Sequence, residues 1–234
     1  MTPNTKPRRP LLEGALAAAL MGGLLFLTLA APGRLGLPPA SAARAERTEA
    51  VTAPPPRGRE VATFAAGCFW SMEAIFKRLK GVERVDPGYS GGSAPHPSYE
   101  QVETGTTGYA EAANITFDPR VISYRDLLRV LLTVRDPTTP NQQGPDRGPQ
   151  YRSVIFYRSP AQKRAAEQAL REVSAARVWP DPVVTEVRPF TSFYRAEGYH
   201  LDYYNRHPNE DYCQYVIAPE IAAFRAKFAD KLKR

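Results

Sequence analysis

The sequence predicts one α+β domain in which a mixed sheet is covered by helices, with a leader preceding it. Three observations carry this. At 234 residues the chain can bury a substantial core in a single folded unit. Hydrophobic residues at 43% and charged residues at 24% describe a globular protein, neither a disordered tail nor a bundle of membrane helices. Short apolar runs of strand length alternate with helical periodicities from Glu60 onward, so strands and helices intermix.

The chain opens with Lys6, Arg8 and Arg9 ahead of an apolar run from Leu11 to Ala31, the pattern of a signal peptide or an uncleaved signal anchor. Residues 1–31 are assigned to it. The domain is therefore expected outside the cytoplasm, periplasmic or otherwise exported, meeting a membrane only through residues 11–31. Residues 32–59 hold Pro32, Pro38, Pro39 and Pro54 to Pro56 among Ala, Arg and Glu, and are expected to be a linker, since such a composition buries too little apolar surface to order itself. The catalytic domain is placed at residues 60–234. The net charge of +7 sits mostly ahead of it: residues 1–59 hold eight Lys/Arg and three Asp/Glu, leaving 23 against 21 in the domain. So slight an excess excludes a basic groove for nucleic acid.

Within the domain, Val61 to Ala65 reads as a buried strand turning at Gly67. Ile75, Phe76 and Leu79 repeat at helical spacing from Met72 until Gly81, which places Cys68 at a helix N-terminus. Val82 to Val85 suits a short strand, and Pro87, Gly88, Gly91, Gly92, Pro95 and Pro97 predict a long irregular loop. Ala110 to Phe117 is expected as a strand, Tyr124 to Val134 as a helix with Leu127, Leu128 and Leu131 inward, Ser153 to Tyr157 as a strand and Ala161 to Ala175 as a helix. Val183 to Val187 alternates as a strand. Ile217 to Lys231 closes the chain as an amphipathic helix burying Ile221, Phe224 and Phe228.

Cys68 and Cys213 admit two readings. An exported domain can use such a pair as a structural disulfide, stabilising by roughly 4 to 5 kcal/mol on the chain-entropy view. Alternatively Cys68 is a reactive thiol, because a helix N-terminus offers free N–H groups and a positive partial charge that favour thiolate. Phe69 and Trp70 beside it would floor a pocket or simply pack in the core. The three histidines, His96, His200 and His207, form no ligand spacing with cysteine, so no metal is expected. Gly88 and Gly91-Gly92 lack the strand-to-helix context of a phosphate cradle, so no bound cofactor is expected either.

The wider text separates these readings. Gly67-Cys68-Phe69-Trp70 with Glu73, Gly88-Tyr89-Ser90-Gly91-Gly92, Pro97 to Val102, Thr104 to Ala112, Asp146 to Ser153, Ala196 to His200 and Tyr212-Cys213 follow in order. Together they resemble the peptide methionine sulfoxide reductase A family over about residues 60–230. The resemblance implies a two-layer α/β sandwich with a mixed central sheet and reduction of the S epimer of methionine sulfoxide, free or in oxidised proteins.

It further implies that Cys68 is the nucleophile and Glu111 the acid, whose enclosure by aromatic side chains should keep it protonated near neutrality. Tyr99 and Tyr151 would hydrogen-bond the sulfoxide oxygen, Asp146 would support the site, and Phe69 and Trp70 would hold the S-methyl group. Cys213 falls where the resolving cysteine is expected, to be followed by a thioredoxin-like dithiol donor, or dithiothreitol in the assay. A monomer is expected. Two positions depart from the family pattern: Tyr109 replaces a histidine and Pro145 an asparagine, and Tyr109 is expected to alter hydrogen bonding beside Glu111. Two other readings compete. A general thiol oxidoreductase is disfavoured because no Cys-x-x-Cys pair is present. A noncatalytic binding domain bridged by Cys68 and Cys213 would show no sulfoxide turnover.

Overall fold

The computed structural model describes residues 48–233; the leader, and the linker ahead of Thr48, lie outside the described residues. Its strands are β1 (Glu60–Ala65), β2 (Val82–Ser90), β3 (Ala110–Phe117), β4 (Gln142–Gln143), β5 (Asp146–Arg147), β6 (Val154–Tyr157), β7 (Glu186–Pro189) and β8 (Phe193–Arg195). The helices are α1 (Phe69–Phe76), α2 (Tyr99–Glu103), α3 (Tyr124–Val134), α4 (Pro160–Ala175), α5 (Tyr203–Arg206) and α6 (Ala218–Lys227). Six strands form one sheet in the order β7-β6-β1-β3-β2-β8. Only β6 and β7 run parallel; the other neighbours are antiparallel, so the sheet is mixed as expected.

Strand alternation sorts the side chains between two faces. Ala62 and Phe64 of β1, Ala113, Ile115 and Phe117 of β3 and Ile155 of β6 join the main core with Ile75 of α1, Leu127 and Leu131 of α3 and Phe224 of α6. The intervening residues Ala65, Ala110, Ala112, Val154 and Phe156 form a smaller cluster on the opposite face, covered by Val51 and Phe190. Helices thus line one face. α3 starts where Ser123 and Asp126 close a reciprocal capping box, and its Leu127, Leu128 and Leu131 are buried.

Four features differ from the sequence reading. β2 continues through Pro87 and Gly88 to Ser90, because β8 supplies a partner: the Ala196 N–H donates to the Pro87 carbonyl at 2.9 Å. Gly88 is required there, since a Cβ would collide with the Tyr194 carbonyl. Within the expected linker, residues from Thr48 on meet the domain: the Thr48 hydroxyl donates to Pro97 O at 2.8 Å, and the Val51 N–H donates to Phe193 O at 2.9 Å. Backbone pairing along β8 compensates there for poor apolar content. The strand expected at Val183 to Val187 begins only at Glu186, where β6 becomes its partner. The closing helix is divided, with a π-helical turn at Cys213–Ile217, α6, and a 3₁₀ turn at Ala229–Lys231, although Ile221, Phe224 and Phe228 are buried as expected.

Candidate active site

β1 delivers the chain to Gly67, whose φ of +80° makes the turn into α1. Any Cβ at this position would strike the Arg135 guanidinium and come within 2.5 Å of the Gln143 side chain. Arg135 itself is buried; its Nε donates to Ala66 O at 2.7 Å and its Nη1 lies 2.6 Å from Glu220 Oε1. Cys68 is therefore held as the N-cap of α1 by a turn with no slack. The Gly67 N–H donates to Tyr151 O at 3.1 Å, which joins this turn to the 3₁₀ turn Pro149–Tyr151.

One pocket is lined by Cys68, Phe69, Trp70, Tyr99, Glu111, Asp146, Tyr151 and Tyr212. Every residue expected at the site except Cys213 is among them. Glu111, the second residue of β3, is only 2% exposed and its Oε2 accepts the Phe69 N–H at 2.9 Å, one residue from the nucleophile. Asp146 follows the tight turn between β4 and β5; it accepts the Tyr212 hydroxyl at 2.6 Å and the Cys68 N–H. Trp70 stacks on Tyr203 at 3.7 Å between centroids and donates from Nε1 to His200 Nδ1 at 3.1 Å, so its ring is fixed on two sides. Tyr99 opens α2 behind a Ser98–Gln101 capping box, and its N–H donates to Glu197, which also takes the Tyr89 hydroxyl.

Electrostatics correct one expectation and support another. Burial, then the Glu111 and Asp146 carboxyls, push the Cys68 thiol well up, outweighing the opposing hydrogen bonds from the Trp70 N–H and the Tyr212 hydroxyl. The helix N-terminus does not by itself make a thiolate here. Burial also raises Glu111 well above the carboxylate range, against the Phe69 hydrogen bond and with help from nearby Glu103 and Asp146. The shift favours the protonated form of Glu111. Tyr151 is pushed up by burial and by the Glu111 and Glu103 carboxyls, so it remains a neutral donor.

Three residues sit differently from their assignments or were missed. Cys213 is fully buried in the main core with Ile217 and Phe224, away from the pocket, and both cysteines are free, so the disulfide staple is not formed. Tyr212, which the sequence places only beside Cys213 in a motif, touches both Cys68 and Asp146. The Tyr109 hydroxyl hydrogen-bonds the Ala94 carbonyl, and its ring packs where a Gly92 Cβ would go, so it does not reach Glu111.

A buried thiol beside a protonated carboxyl, in a pocket with phenol donors and aromatic walls, defines a cysteine-based oxidoreductase that acts on a small polar oxygen next to apolar groups. Comparison with known proteins names the family. The family model for peptide methionine sulfoxide reductase matches residues 60–232. The peptide methionine sulfoxide reductase MsrA of Thermus thermophilus is 53% identical over 174 residues, covering 74% of this chain and 98% of the relative. Its counterpart in Sulfolobus acidocaldarius is 53% identical over 172 residues, covering 74% and 97%. The reduced crystal structure of Mxr1 from Saccharomyces cerevisiae superposes with a TM-score of 0.62 at 32% identity, covering 68% of this chain and 91% of that one. The chain belongs to the peptide methionine sulfoxide reductase A family and is a peptide-methionine (S)-S-oxide reductase.

Proposed function

We propose that Cys68 attacks the sulfur of methionine sulfoxide while Glu111 protonates its oxygen. The observation that carries this is the Phe69 N–H to Glu111 hydrogen bond, which keeps the acid one residue from the nucleophile. As the sulfoxide S–O bond breaks, oxygen passes to Cys68 and methionine leaves; the thiol proton restores the carboxyl, so the products are methionine and a Cys68 sulfenic acid. Tyr99 and Tyr151 serve as neutral donors to the oxygen, avoiding the desolvation cost of a buried cation. Asp146 positions Cys68 and Tyr212 through its hydrogen bonds. Phe69 and Trp70 hold the S-methyl group against apolar faces.

Cys213 then condenses with the sulfenic acid, releasing water and forming a disulfide. Its burial in the π-helical turn Cys213–Ile217 requires that turn to open first, and such irregular turns are where helices commonly rearrange. A thioredoxin-like dithiol takes the disulfide back to two thiols. The substrates are oxidised proteins or free methionine sulfoxide, reduced outside the cytoplasm by a monomer. Lys6, Arg8, Arg9 and the apolar run after them support export or anchoring; no helix among the described residues is long and apolar enough to cross a membrane.

The test is turnover of separate S and R epimers of a peptide sulfoxide with dithiothreitol. Only the S epimer should be consumed, with no turnover in Cys68→Ser and a 10²- to 10⁴-fold lower kcat/KM in Glu111→Gln, on the order expected for losing a general acid. Full activity in Glu111→Gln would remove the acid from the mechanism.

A further inference from the structure

Glu103 lies outside the pocket lining, at the last position of α2, four residues after Tyr99 and so on the same helical face. Its Oε2 accepts the Tyr151 hydroxyl at 2.9 Å. Its Oε1 is buried with no donor in reach, and the carboxyl meets that of Glu111. Two ionised carboxylates carry acceptors alone and cannot bond to each other, so this contact favours the protonated form of Glu111. The Tyr151 hydroxyl donates to Glu103, so this carboxyl sets the direction in which the phenol points.

We propose that Glu103 is a positioning residue for the reduction: it lies against Glu111 and orients the Tyr151 hydroxyl, so that acid and neutral donor face the sulfoxide oxygen together. The inference rests on Glu111 being the acid. The proton balance is closed: Glu111 gives one proton to the oxygen as the S–O bond breaks and regains one from the Cys68 thiol, so it leaves the cycle as it entered. Six groups face the pair: Tyr99 on α2, Cys68 at the start of α1, Tyr89 on β2, Asp146 on β5, Tyr151 on its 3₁₀ turn and the Phe69 N–H. Asp146, like Glu103, raises Glu111 and must be left intact in the test.

The experiment is the pH profile of kcat/KM for the S epimer in the wild type, Glu103→Gln and Glu103→Ser, with thermal denaturation confirming that each variant is folded. Activity falls at high pH as Glu111 loses its proton. Removing the neighbouring carboxyl lets that happen earlier, so the alkaline limb should move down by about one pH unit in both variants. That is roughly a tenfold loss on the limb, with much smaller change below it. Glu103→Ser, which leaves room for water, separates loss of charge from crowding by the amide. In a Glu111→Gln background the residual profile should not respond to Glu103→Gln. An unmoved limb, or an equal loss at every pH in folded protein, overturns the proposal. Those results with an inactive Glu111→Gln enzyme leave the acid assignment standing; an active Glu111→Gln enzyme removes both.

Discussion

Glu73 should make the stability of this enzyme fall as pH rises through neutrality. The residue projects from α1 and is 4% exposed, and burial lifts its carboxyl from 4.5 to about 7 in spite of the Asp202 N–H at 2.8 Å and Lys77 at 3.7 Å. A folded pKa above the unfolded one means that the native state binds the extra proton between those values. Stability from this group is fully present below pH 4.5 and is lost as pH rises through 7. At 1.36 kcal/mol per unit the shift amounts to about 3 kcal/mol, a large part of the stability of an ordinary domain. Urea denaturation of the wild type and Glu73→Gln at intervals from pH 4 to 8.5 would measure it. The amide keeps an acceptor for the Asp202 N–H but cannot ionise. The two proteins should converge in acid, with the variant more stable by about 3 kcal/mol at pH 8.5. Parallel curves would show that Glu73 does not titrate in this window. Activity is linked to the same group: its bond to Asp202 steadies the chain entering α5, whose Tyr203 stacks on Trp70.

Other perturbations probe the nucleophile's surroundings. Cys213→Ser should leave one equivalent of methionine per enzyme in a single turnover but sharply slow steady turnover driven by a thioredoxin-like donor; unchanged steady rates would remove Cys213 from recycling. Gly67→Ala forces a side chain into a turn with φ of +80° and into Arg135, so it should cost more than about 1 kcal/mol and lower kcat/KM as well. A melting temperature equal to the wild type's would contradict the tight turn. Tyr212→Phe removes the hydroxyl shared by Cys68 and Asp146 and should lower kcat more than it changes KM, whereas a pure KM effect would place Tyr212 in substrate binding alone.

Local rules reached the elements whose cues are contiguous. Leu127, Leu128 and Leu131 between the Ser123 cap and Arg135 specify α3, and Gly67 after an apolar run puts Cys68 at the head of α1. β2 was cut short because Pro87 and Gly88 break local propensity, whereas its pairing with β8 depends on residues more than a hundred positions away. Most of the pocket was legible from the family resemblance, since Cys68, Glu111, Tyr99, Tyr151 and Asp146 lie within quoted motifs. Glu103 was not, because five-residue α2 has too few positions for a period to show. Its start was nevertheless marked by Ser98 and Gln101, whose capping box would have set Tyr99 and Glu103 four apart on one face. The depth of Cys213 was also hidden, since a cysteine ahead of a helix can face either core or cleft.

The same competition between local and distant groups determines how Cys68 behaves without substrate. An N-cap position alone argues for a reactive thiolate. Burial and the carboxyls of Glu111 and Asp146 come from other parts of the fold and act in the opposite sense, leaving the thiol above its ordinary 9.0. The neutral thiol should then predominate at pH 7. Alkylation by iodoacetamide in the substrate-free enzyme should accordingly be slow at pH 7, accelerate only above pH 9, and quicken at lower pH in Asp146→Asn, which removes one of the opposing charges. Mass spectrometry of the Cys68 peptide would give the rates without interference from buried Cys213. Rapid labelling at pH 7 would mean that the helix N-terminus prevails over burial, and that the thiolate exists before the sulfoxide arrives.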